Sequence, residues 1–299
     1  MNVLRRSTLL AAMFVAAFVQ QAPAQTVTTP GATPAPSFVT PGPGPGLVGT
    51  VGDCDNVTPG GPCQTKSTLV LLDANTGQLI RTIGPVGFTV NGLAWDKATK
   101  TLYATTALGD TKFHGLITIA PNGQGTPVNP SAVNFGIEGP GVPVHGLAID
   151  AFGHMVAMYP VPPPPVPGGP ETSDTYVRID PKTGIATQFP NTGINTFRNG
   201  IAFGEFNLLW NINAALGQQF AFLLDPFNGA RLFTQPLSPP TTAALGDFNP
   251  VNNLYYGLNF TAFDPTGATS ITVIDVPNGK VTTLGPTVPH LHVITWVDK

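Results

Sequence analysis

Short apolar runs alternate with polar turns along most of this chain, and one such unit recurs. It reads GLAWDKATKTLYA from Gly92 to Ala104, GLAIDAFGHMVAM from Gly146 to Met158 and GIAFGEFNLLWNI from Gly200 to Ile212. A degenerate copy, LGDFNPVNNLYY, spans Leu245 to Tyr256. Two apolar runs around a polar turn predict a β-hairpin. A second hairpin family interleaves with the first, turning at Gly77, Gly123, Gly184, Gly229 and Gly279. There Thr-Gly or Asn-Gly supplies the positive φ of a tight turn, and an Asp or Pro upstream starts the bend.

A hairpin pair repeating about every 50 residues implies a propeller or another repeat array. In a propeller blade four strands run A to D from axis to rim, so the first family supplies strands A and B and the second C and D. Four blades follow in order. The remaining pieces are Leu47 to Val51, the hairpin at Leu69 to Ile83, and the terminal strand His292 to Asp298. Placing the terminal strand as A beside Leu47 to Val51 as B closes a fifth blade from both ends of the chain and removes its exposed edges. The expected fold is therefore an all-β propeller of five four-stranded blades, with six as the alternative.

Composition adds the compartment. Residues Met1 to about Gln25 have the pattern of a secretory signal peptide: Arg5 and Arg6, an apolar run from Leu9 to Val19, and Ala22-Pro23-Ala24 for cleavage. Residues 26–46 are Thr, Ala, Pro and Gly with little to bury, a linker. Residues 47–299 then form a single propeller domain, expected to be exported to the periplasm or beyond the cell and to be a monomer. No later run is long enough for a transmembrane helix. Charged residues are 10% of the chain and the net charge is −3, with no basic patch for nucleic acid. Cys54 and Cys63, close together in a Gly/Pro-rich loop of an exported chain, are expected to form a local disulfide. Asp53 and Asp55 beside them begin a calcium-loop pattern that lapses into Thr-Pro-Gly-Gly.

Candidate chemistry concentrates where each D-to-A link enters strand A beside the channel. Asn91, His145 and Asn199 precede the motif glycines, with Arg198 beside the last. His292 takes the matching place in the closing blade, and Asp247 stands at the start of the fourth A strand. Imidazole with amide and carboxylate oxygens can bind a small ligand or a divalent cation, calcium or zinc, for which His145, His292, Asn91 and Asn199 are the candidates. The bland alternative is that these groups satisfy backbone at strand starts. His154, in an A-to-B turn, is expected to be exposed and idle. No GxSxG, HExxH, Walker loop or CxxC pair is present, and Glu138, Glu171 and Glu205 make no evident glycosidase pair. The Pro-rich insertion Pro160 to Pro170 reads as a stiff spacer, the alternative being a polyproline segment that docks an aromatic groove on a partner.

The NGLAWD beginning at Asn91 and the NGIAF beginning at Asn199 resemble the NGLAWS motif of the regucalcin and gluconolactonase propellers. That resemblance implies a metal-dependent lactone hydrolase with the motif Asn as a ligand and His145 as a neighbour. Those propellers have six blades and a metal-binding Glu near the N-terminus, and Leu47 to Val51 contains none. The turns at Leu71 to Gly77 and Arg178 to Gly184 resemble repeats of quinoprotein and YVTN-type surface-layer propellers, without the docking Trp a quinone cofactor would imply. Two functions follow. The first is a noncatalytic exported propeller binding a small molecule, glycan or protein on the face carrying the B-to-C and D-to-A loops. The alternative is a metal-dependent hydrolase or lyase at the channel mouth.

Overall fold

Each predicted hairpin forms, and the strands assemble as five four-stranded antiparallel sheets. The computed structural model describes residues 45–52, 66–106, 113–137, 144–159, 175–190, 194, 199–213, 219–260 and 267–298. The expected signal peptide and most of the expected linker, Cys54 and Cys63 with Asp53 and Asp55, the Pro-rich insertion and Arg198 lie outside these residues.

The closing blade contains β1 (Gly46–Val51), β2 (Thr68–Leu72), β3 (Leu79–Pro85) and the last strand, β20 (Leu291–Val297), in the order β20-β1-β2-β3. Leu47 pairs with Trp296 and Thr50 with Val293, so the two ends of the chain are stitched in one antiparallel ladder. The first blade is β4 (Val90–Asp96), β5 (Thr101–Thr106), β6 (Leu116–Ile119) and β7 (Gly125–Pro127). The second is β8 (His145–Ile149), β9 (Met155–Tyr159), β10 (Thr175–Ile179) and β11 (Ala186–Gln188). The third is β12 (Gly200–Phe203), β13 (Leu209–Asn213), β14 (Phe220–Leu224) and β15 (Arg231–Pro236), and the fourth is β16 (Ala244–Phe248), β17 (Tyr255–Phe260), β18 (Thr269–Asp275) and β19 (Lys280–Pro286). The innermost strands lie side by side around the channel as β20, β4, β8, β12, β16 and back to β20.

Because each inner sheet is covered on both faces by its neighbours, its strands read as continuous apolar runs rather than alternating ones. Successive residues point to opposite faces and enter different interfaces. Val48 and Leu71 pack with Leu93 and Trp95 of the first blade, while Leu47 and Leu72 pack with Tyr256 and Leu258 of the fourth. Three more such clusters fill the remaining interfaces: Leu116 and Phe135 with Leu147 and Val177, Val156 and Tyr176 with Ile201 and Phe222, and Trp210 and Leu237 with Phe248 and Ile274. The core is thus divided among the five interfaces between blades.

The turn aspartates have the structural role their sequence context implies. Asp73 accepts the backbone N–H of Asn75 and Thr76, Asp180 that of Lys182, Asp225 that of Phe227, and Asp96 that of Ala98. These amide donors hold the Asp73 and Asp180 carboxyls below the ordinary carboxylate value. The C-to-D links are short, as in Leu72 to Leu79. The B-to-C links are unequal, from Asn213 to Phe220, as short as a C-to-D link, up to Val51 to Thr68.

Candidate functional site

Two of the channel-mouth residues meet. His292 Nε2 lies 3.1 Å from Asn91 Oδ1, and Asn91 Nδ2 donates to the backbone oxygen of Val144 at 3.3 Å. With the Asn91 amide nitrogen committed to a carbonyl, its oxygen is the acceptor, so neutral His292 carries its proton on Nε2. One amide thereby links the closing, first and second blades. His145 is buried at the start of β8. Asn199 is also buried, and its amide donates to Asn211 Oδ1 at 3.3 Å, whose own amide contacts Met158 Sδ at 3.4 Å. Among the described residues no three His, Cys, Asp or Glu side chains lie close enough to hold a metal ion. The imidazole and amide of His292 and Asn91 face each other, and no Glu among the described residues of β1 matches the lactonase pattern.

Asp247 is not at the start of its strand, nor at this end of the channel. Asn249 opens the A-to-B turn of the fourth blade as Asp96 opens that of the first: Phe248 pairs with Tyr255 as Trp95 pairs with Leu102. Counting back from that turn, Ala244 rather than Asp247 matches Asn91, His145, Asn199 and His292. The repeat pattern misplaces this strand because Leu245, not Gly246, holds the motif-glycine position. Leu245 has φ 45°, close to the 59° of Gly146, a left-handed conformation that seldom hosts a branched side chain.

Asp247 instead sits level with Ala94, Ala148 and Ala202, the third position of each motif, toward the A-to-B turn end. Beside it lies a cavity of about 40 Å³ lined by the small Ala94 and Ala148 and by Trp95, Lys97, Phe203, Phe248 and Trp296. Asp247 Oδ2 accepts the Thr295 hydroxyl at 2.7 Å and the Trp296 N–H at 3.3 Å, while Oδ1 accepts the Phe248 N–H at 2.8 Å. Burial pushes its carboxyl above the ordinary carboxylate value despite these bonds and the charge of Lys97. The sequence signal for this site is the Asp standing where the other copies have Ala.

A raised carboxyl favours the folded state most when protonated, and that contribution is lost as pH rises through the folded-state value. Asp247 therefore adds stability on acidification from neutral pH toward the ordinary carboxylate range. The turn aspartates oppose it only below that range. Asp247→Asn is expected to remove this component, so subtracting its Tm at pH 7 and pH 5 from that of the wild type should leave a positive acid-side difference. Identical pH dependence in both proteins would refute the assignment.

The fold and channel define the class: an all-β, five-bladed propeller closed by its last strand. No family model matches the chain, and no curated protein matches it. Among solved structures it resembles TolB from Acinetobacter baumannii at 15% identity and a TM-score of 0.47, over 82% of this chain and 54% of that one. It also resembles Kuenenia stuttgartiensis hydrazine synthase at 11% identity and a TM-score of 0.39, over 73% of this chain and 51% of that one. The chain spans about half the length of each.

Proposed function

We propose that this is an exported, noncatalytic binding propeller that receives a small molecule, glycan or protein on the face carrying the B-to-C and D-to-A loops. Asn91, His145, Asn199 and His292 stand at the mouth of its channel, with Arg198 beside them in sequence. The supporting observation is the 3.1 Å contact between His292 and Asn91. It presents one imidazole and one amide, from adjacent blades, at a channel mouth, which suits recognition of hydroxyl or carbonyl groups. Metal-assisted hydrolysis would need further donors converging on the same point. Export is supported by the Arg5-Arg6, apolar and Ala-Pro-Ala pattern of the first 25 residues, and the described residues include no helix long and apolar enough to cross a membrane.

Elemental analysis of the purified protein, with calcium and zinc titrations of wild type and His145→Ala, tests the choice between binding and hydrolysis. The expected result is no stoichiometric metal and no rise in Tm with either ion. One equivalent of metal in the wild type, lost in His145→Ala, would replace this reading with the lactonase-like one. A glycan found by array screening should bind about tenfold more weakly to His292→Ala, the loss of one or two ligand hydrogen bonds.

A further inference from the structure

The opposite face, made by the A-to-B and C-to-D turns, carries a feature that turn chemistry does not require. The second residue after the start of the A-to-B turn is Phe152 in the second blade, Phe206 in the third and Val251 in the fourth. They are 78%, 84% and 76% exposed. Large apolar side chains held in water at equivalent positions of three consecutive blades form a collar, unlike scattered surface hydrophobics. The collar is also fixed in place. Asn207 Oδ1 accepts the N–H of Ala151, next to Phe152, at 2.8 Å, and Asn253 Oδ1 accepts the N–H of Glu205, next to Phe206, at 2.8 Å. The two bridges tie the three turns to one another through their backbones, so little backbone ordering entropy remains to be lost on binding.

The turns join the innermost strands, so this collar borders, along three of the five blades, the end of the channel that holds Asp247. At about 40 Å³ the cavity has room for about three water molecules. That accommodates the tip of a side chain and not a whole drug-sized ligand. Lys97 is one of its walls, and the others suit a cation: the Asp247 carboxylate with the indoles of Trp95 and Trp296 and the rings of Phe203 and Phe248. The buried Trp296 Nε1 has no hydrogen-bond partner among the described residues. Of the charged side chains in the flanking A-to-B turns and at the end of β20, Asp298 is paired with Lys100 at 2.9 Å and Asp150 with His154 at 2.8 Å.

We propose that this face is a docking surface for a protein segment that inserts one Arg or Lys side chain into the Asp247 pocket and lays apolar neighbours on Phe152, Phe206 and Val251. A cation entering the pocket compensates a carboxylate that burial disfavours, and the apolar collar excludes water around it, as a hot spot requires. The surface lies at the other end of the channel from His292 and Asn91, so it is independent of the function proposed above.

The test titrates two peptides, acetyl-Leu-Arg-Leu-amide and its norleucine analogue, against the full-length protein, reading the indole signals of Trp95 and Trp296 by NMR. The Arg peptide is expected to shift both signals saturably and to bind at least tenfold more tightly than the norleucine peptide. The exposed double substitution Phe152→Ser/Phe206→Ser, with an unchanged Tm, should weaken it at least fivefold, and Asp247→Asn at least tenfold. His292→Ala should leave it unchanged, which separates this surface from the channel mouth. Equal binding of the two peptides, no binding of either at millimolar concentration, or insensitivity to Phe152→Ser/Phe206→Ser would each overturn the proposal. Methylguanidinium binding as tightly as the Arg peptide would overturn it in favour of a small-cation pocket. A concentration-dependent dimer abolished by Phe152→Ser/Phe206→Ser would make a second copy of the chain the occupant and overturn it equally.

Discussion

A chain ending before Leu291 is expected to lose its cooperative unfolding transition. All seven residues of β20 are buried, and Leu291, Val293, Ile294, Trp296 and Val297 are apolar. At roughly 1.5–3 kcal/mol for each buried side chain, their loss is on the order of 10 kcal/mol. That is comparable with the whole stability of a typical domain, about 5–15 kcal/mol. The damage extends beyond one strand. β20 is the ladder partner of β1 and the channel neighbour of both β4 and β16, so its removal opens one sheet edge and two interfaces between blades. Asp247 would also lose the Thr295 hydroxyl and Trp296 N–H that hold it. Circular dichroism melting should show a broad, non-cooperative change, and adding a synthetic peptide of residues 287–299 should restore a sigmoidal melt. A truncated protein melting cooperatively within a few degrees of the wild type would show that the ring does not depend on this closure.

That closure is legible in the sequence because a blade needs four strands and the chain supplies an orphan hairpin, one orphan strand near its start and another at its end. The turns are legible for a local reason: an Asp that caps its own turn and a Gly with positive φ act within five residues. Asp73 and Gly77 illustrate it, with Gly77 N–H donating to Asp73 O at 2.7 Å. Register in the fourth blade is not legible. Leu245 adopts the conformation for which glycine is the sequence marker, and the neighbouring Gly246 mimics that marker one residue late. One residue of slip moves a side chain to the other face of a strand. In this strand the slip also hides that Asp247 is the fourth of the five residues of β16, beside the A-to-B turn. The apolar collar is hidden for a related reason. Phe152, Phe206 and Val251 fall inside turns, where Gly, Asp and Asn carry the conformational signal and an apolar residue carries none. Their common position emerges only once the hairpins are superposed on the ring.

Gly200 carries the second large effect. A glycine at the start of an A strand suggests a requirement for unusual backbone angles, yet what the structure demands here is space. A methyl group on Gly200 would overlap the Tyr255 hydroxyl of the fourth blade and stand 3.2 Å from the Leu245 backbone nitrogen. Tyr255 is fully buried, and its hydroxyl oxygen accepts the Gly246 N–H at 2.9 Å. Gly200→Ala therefore forces either the ring or the strand to move. Overpacking a core costs about 1–3 kcal/mol. If the ring moves, the Gly246 N–H loses its acceptor and adds about 1–3 kcal/mol for an unsatisfied buried donor. A total near 4 kcal/mol should lower Tm by roughly 10 °C at about 2–4 °C per kcal/mol. Tyr255→Phe alone should cost about 1–2 kcal/mol through the same unpaired N–H. In the double variant the absent hydroxyl relieves part of the overlap, so the two changes should cost at least 1 kcal/mol less than their sum. Strict additivity in denaturant melts, or a Gly200→Ala protein within 1 kcal/mol of the wild type, would show that the strands part without cost. The tyrosine would then not be the wedge that fixes the spacing of the third and fourth blades.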